Sequence, residues 1–167
     1  SILASIDVRD LKDVSTRRLV EQFEYVLEAV RVRKSGEIVA RVRQEGELLI
    51  IESCLDDQPF LVSALRALCN REGLEVRSSI NAVARLRRNR RGELLSFGTG
   101  TSESLVRLEV RAKQPKDPSD IEEHVRRRLA GAQAMVQDFE SMQRHLFSSA
   151  DNYLAAAGRA DDVLSPR

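Results

Sequence analysis

A chain of 167 residues is long enough to bury one core and carry an appended helix, and at 42% hydrophobic with 32% charged residues it is too apolar to stay disordered. Lys and Arg (27) nearly balance Asp and Glu (26), leaving a formal charge of +1. No global excess of either sign points to nucleic acid or to an anionic membrane. The N-terminus runs through Asp7, Arg9, Asp10, Lys12 and Asp13, without the unbroken apolar stretch that a signal peptide or a membrane span needs, so a cytoplasmic location is expected. Cys54 and Cys69 lie in apolar runs with no CxxC spacing and no histidine pair nearby, which predicts buried thiols and no metal site.

In chain order, Leu19, Phe23, Val26, Leu27 and Val30 recur at helical spacing and predict an amphipathic helix over 15–32. Lys34-Ser-Gly36 breaks it. Ile38, Ala40 and Val42 then alternate as a half-buried strand up to a turn at Glu45-Gly46, and Leu48 to Leu55 is apolar enough for a strand covered on both faces. Asp56-Asp-Gln-Pro59 reads as an acidic cap with proline in the first turn of a helix whose buried face is Leu61, Leu65 and Leu68 and whose stop is Gly73. From Leu74, a long strand is expected to place Val76, Ser78, Ile80, Ala82, Ala84 and Leu86 on one face and Glu75, Arg77, Asn81, Arg85 and Arg87 on the other. Residues 89–103 read as a polar loop, followed by a fourth strand around Leu108 and Val110. Lys116-Asp-Pro-Ser119 opens the longest helix, with the stripe Ile121, Val125, Leu129, Ala132, Val136 and Phe139, and a last helical stretch runs from Met142 to Gly158. These elements predict an α+β two-layer sandwich: a four-stranded, mainly antiparallel sheet of ferredoxin-like type with helices on one face. The organisation expected is a helical lead-in at 1–35, the α+β domain at 36–141, a C-terminal helix at 142–158 and a linker or tail at 159–167.

Few residues point to chemistry. Gly98-Thr-Gly100 lacks the third small residue of a dinucleotide-binding turn, because Glu103 stands there, and a strand rather than a helix is expected to follow. His124 and His145 fall on separate helices without a partner carboxylate and nucleophile, so surface positions are expected and no catalytic residue is assigned. Asp56 and Asp57 stand at a strand-to-helix junction, where carboxylates either cap the helix or hold the ammonium of an amino acid. Arg85, Arg87, Arg88, Arg90 and Arg91 form a basic run, and Arg41, Arg43, Arg77 and Arg107 are expected to share an exposed sheet face with it. An RNA-binding sheet needs aromatic platforms that these strands lack, so a solvated or interface face is the reading.

Leu55-Asp-Asp-Gln-Pro-Phe-Leu-Val62 through Asn70-Arg-Glu-Gly-Leu74 resembles the strand-to-helix signature of ACT domains. With Asn81-Ala-Val-Ala-Arg-Leu-Arg87, Arg91-Gly-Glu-Leu94 and Val136-Gln-Asp-Phe-Glu-Ser-Met142, it is similar to the N-terminal ACT-like domain of large bacterial NAD-specific glutamate dehydrogenases. The resemblance covers about residues 7–142. It implies a regulatory or assembly domain with no cofactor of its own, in a parent that deaminates glutamate to 2-oxoglutarate with NAD bound in a separate catalytic domain. Implied partners are other domains or subunits of that parent, in a homo-oligomer, together with an amino-acid effector. Candidate effector-binding residues are Asp56, Asp57, Gln58 and Phe60. The alternative is a free-standing ACT-like amino-acid sensor. Phe60 stands where many ligand-binding ACT domains have a glycine, and it is expected to point into the core, where burying its ring would contribute about 2 kcal/mol and fill the effector space.

Overall fold

The computed structural model describes residue 28 and residues 30–164, with side chains described as far as residue 149 apart from 140. The expected N-terminal helix therefore lies almost entirely outside the described residues. At its end, Val32 forms an antiparallel bridge with Glu93 instead of a final helical turn.

Seven elements follow: β1 (Val39–Glu45), β2 (Leu48–Asp56), α1 (Leu61–Glu72), β3 (Leu74–Arg88), β4 (Leu94–Phe97), β5 (Thr101–Ala112) and α2 (Pro118–Leu164). The strands form one antiparallel-paired sheet in the order β1-β2-β5-β3-β4. α1 crosses from β2 to β3, and β5 slots between those two strands, the arrangement of a split βαβ unit. The expected class holds, with five strands where four are expected. The fifth is β4, hidden in the stretch read as a polar loop. Its four residues alternate half-buried and exposed, which is too short a run to declare a period.

One face of the sheet packs on helices. Ala40, Leu49, Ile51, Leu55, Val106, Leu108 and Val110 meet Leu61, Leu65 and Leu68 of α1 and Ile121, Val125 and Leu129 of α2 in a single buried cluster. The opposite face carries a smaller cluster of Val30, Cys54, Ala84, Leu86 and Leu105. β3 serves both because a bulge lies between Val76 and Ser78. The extra residue shifts the alternation, so Val76 packs with the helices while Ile80, Ala82 and Ala84 face the other way; a uniform two-faced reading of the strand does not hold across it.

The expected open, charged sheet face is also corrected. Arg41 and Arg77 are exposed and Arg43 is half-buried, but Arg107 is buried and pairs across the strands with Glu52 at 2.5 Å. A cross-strand partner of opposite charge compensates the guanidinium where water does not.

By chain contacts the molecule divides into two units, Ser1–Ala132 and Gln133–Arg167. Within the first, the expected stripe of α2 is buried as far as Ala132, and the i,i+4 pairs Glu122–Arg126 (2.8 Å) and Glu123–Arg127 (3.3 Å) form on its polar side. Within the second, the helix continues through Gly158 to Leu164, and Met135, Phe139, Met142 and Leu146 are exposed at a 4-3-4 spacing. Phe139, expected in the buried stripe, is thus exposed. Among the described residues no helix is long and apolar enough to cross a membrane.

Candidate effector turn and buried charge network

The turn from Asp56 to Phe60 links β2, one of the inner strands, to α1. Phe60 is the N-cap, with φ 71° in the left-handed region, and no side chain caps the helix start. The acidic cap expected from Asp56 and Asp57 is therefore absent, and Pro59 precedes the cap instead of entering the first turn. Asp56 is still in β2, four positions before the N-cap, and its Oδ1 accepts a 2.6 Å hydrogen bond from Arg33 Nη2.

Asp57 is exposed, its N–H donates to the Ser102 carbonyl at 3.0 Å, and its carboxylate has no partner among the described residues. Gln58 is half-buried, with a buried Nε2 that meets no acceptor among the described residues. Phe60 is 61% exposed, which overturns the expectation that it fills the core. An L-residue in that backbone region costs about 1–2 kcal/mol and aims its side chain away from the path of a normal helix start, so the ring stands at the lip of the turn. Phe60 thus holds a left-handed conformation that glycine adopts without strain.

Behind the turn lies a network that the residue pattern did not reveal. Glu103 is fully buried in β5, and Arg33, only 2% exposed, reaches it from the segment before β1. Glu103 Oε2 accepts hydrogen bonds from Arg33 Nε (2.9 Å), Arg88 Nη2 (2.9 Å) and the Cys54 thiol (3.0 Å), while Oε1 accepts one from Arg88 Nε (2.8 Å). Arg33 Nη1 donates to the Glu37 carbonyl and Arg88 Nη1 to the carbonyls of Val30 and Gly92, so every nitrogen of both forks has a partner. The segment carrying Arg33 is pinned by backbone bonds to the β3–β4 hairpin: Arg33 N–H to the Gly92 carbonyl (2.9 Å) and Leu94 N–H to the Arg31 carbonyl (3.0 Å).

Burial alone would raise the Glu103 carboxyl, but the guanidiniums of Arg88 and Arg33 outweigh it and hold the group below the usual carboxylate range. Burial would likewise lower Arg33, and Glu103 with Asp56 reverses the direction. Cys54 is pushed far up by burial and by its bond to Glu103, and Cys69 is pushed up to about 11, mainly by burial. Both thiols stay protonated near neutral pH and are buried, as expected.

Of the residues singled out in the sequence, the structure brings Asp56 into the network and leaves Asp57, Gln58 and Phe60 along the turn. His124 is not an isolated surface group. Its Nδ1 lies 3.2 Å from Glu72, which also takes Lys116 at 3.2 Å. Gly98 and Gly100 belong to the tight turn between β4 and β5, outside any helix start. The missed residues are Arg33, Arg88 and Glu103. Their one signal is Ser104-Leu105-Val106, which extends the β5 alternation back towards Glu103 and places it beside Leu105 on an interior face.

The split βαβ sheet and the strand-to-helix turn at its inner strand define an α+β domain of ferredoxin-like type, and among the described residues no group of side chains could hold a metal ion. A family model described as the ACT1 domain of glutamate dehydrogenase matches residues 1–125. The chain belongs to that family. Comparison with curated proteins and with solved structures gave no match.

Proposed function

We propose that this chain is a regulatory or assembly domain of a large NAD-dependent glutamate dehydrogenase, and that it adjusts the parent's oxidative deamination of glutamate to 2-oxoglutarate while taking no part in turnover. Membership of the glutamate dehydrogenase ACT1 family supports the parent. The observation that carries the regulatory reading is the turn. An uncapped helix start, an exposed Asp57 and an outward Phe60 leave room and complementary groups for a small zwitterion.

In this reading the ammonium of an amino acid meets Asp57. Its carboxylate takes the N–H groups at the start of α1, the end of a helix that favours negative charge. Phe60 forms a wall of the site, and Gln58 supplies a buried donor close by. Asp56, held by Arg33, positions the turn and does not meet the effector directly. A free-standing amino-acid sensor would use the same turn, and the glutamate dehydrogenase family favours the domain of an enzyme.

Association with sister domains or subunits in a cytoplasmic homo-oligomer belongs to the same proposal. It is supported by the exposed stripe from Met135 to Leu146 with its coiled-coil spacing. The test is the amino-acid response of the dehydrogenase that carries this chain, compared with its Asp57→Ala variant. Loss of the response in the variant supports the turn as the sensor.

A further inference from the structure

Beside the buried network a cleft of about 420 Å³ opens, lined by five cations, Arg33, Lys34, Arg87, Arg88 and Arg90, against one carboxylate, Glu103. Its size falls within the range of small-molecule sites. The two inner cations are already neutralised, Arg33 and Arg88 by Glu103 and Arg33 again by Asp56. That leaves Lys34, Arg87 and Arg90. All three are exposed at the rim, and none forms an ion pair with another described residue.

Three cations without an ion pair among the described residues line this one cleft, in a chain whose formal charge is only +1. Low-dielectric walls focus their field into the opening and raise the local concentration of anions. The floor beneath them is fixed, because Arg33 and Arg88 are locked by Glu103 and by backbone carbonyls, so a ligand meets preorganised walls.

From this geometry we infer that the cleft binds a small phosphorylated molecule through its phosphoryl groups. A carboxylate presents two oxygens in one plane and is satisfied by a single guanidinium fork. Three separate cations are matched by a tetrahedral anion, whose oxygens point in several directions and whose charge near neutral pH is about −1.5 to −2 per phosphoryl group. The inference is independent of the amino-acid reading, since neither Asp57 nor Phe60 lines this cleft.

Calorimetric titration of the full chain in chloride buffer tests it, with inorganic phosphate, pyrophosphate and a nucleoside diphosphate as probes and malonate as a dicarboxylate control. Saturable pyrophosphate binding is expected, at least about tenfold tighter than malonate. Arg87→Glu combined with Arg90→Glu should weaken it by at least about tenfold, while Arg127→Glu on the exposed side of α2 should leave it unchanged. Both altered arginines of the cleft are exposed, so circular dichroism should show the fold intact. A nucleoside diphosphate that binds more tightly than pyrophosphate identifies a nucleotide as the source, and equal or weaker binding identifies a free phosphate; either order supports the site. Equal affinity in the charge-reversed variant, equal binding of malonate, or no saturable heat with any phosphate would overturn it.

Discussion

Glu103 holds two guanidiniums and a thiol in the interior, so its removal leaves Arg88 and the buried Arg33 without their shared compensating charge. Glu103→Gln keeps the shape and removes the compensating charge. Breaking a buried pair in this way costs about 3–5 kcal/mol, and urea unfolding should show a loss of that order. The native carboxyl titrates below its unfolded value, so the unfolded chain binds the proton first as pH falls. Its stabilisation is complete above the unfolded value of about 4.3 and is lost as pH falls from there through the lowered native one. The slope of stability against pH below about pH 5 should therefore be shallower in Glu103→Gln than in the parent chain. Phe60 makes the opposite case. Its ring is mostly exposed and its backbone is strained, so Phe60→Gly should be more stable than Phe60→Ala by about 1 kcal/mol in thermal or urea unfolding. An order reversed between the two variants would show that the left-handed turn is not held as described.

At the scale of elements, the segment 31–33 docks on the β3–β4 hairpin at Gly92, where an added Cβ would come within 2.5 Å of the Arg33 carbonyl oxygen at a φ of +86°. Both the conformation and the contact require glycine, and the obstructing atom is backbone, so nothing can swing aside. Gly92→Ala should destabilise by more than about 1 kcal/mol and loosen Arg33, seen as faster amide exchange at Arg33 and Leu94. That docking was not legible in the sequence. Strands β1, β2 and β5 announced themselves by alternation or by continuous apolar runs, and α1 by Leu61, Leu65, Leu68 and the Gly73 stop. β4 did not, because four residues cannot display a period. The acidic cap failed because β2 runs through Asp56 and the helix starts only after Phe60, and the two faces of β3 switch at the bulge because one extra residue reverses every side chain beyond it. Of the candidate site, the position of the turn was readable from Asp56 to Phe60. The outward ring and the network behind it were not, since both depend on pairings between segments far apart in the chain.

For the whole molecule, one strand-to-helix turn sits directly on a charge network that also braces the segment 30–33 and the β3–β4 hairpin. Asp56 belongs to both, so a ligand at the turn would bear on the same salt bridges that hold the hairpin, and a coupling of about 1–3 kcal/mol would suffice for regulation. The family places that domain in a glutamate dehydrogenase. The decisive experiment is therefore kinetic: oxidative deamination of glutamate by the glutamate dehydrogenase proposed to carry this chain, measured across a concentration series of each common amino acid, in the wild type and in Asp57→Ala. The expected result is a saturable change in rate with at least one amino acid, with its midpoint shifted at least about tenfold or the response abolished in Asp57→Ala. Identical response curves in the two proteins, or the absence of any amino-acid response, would contradict a regulatory turn at Asp57.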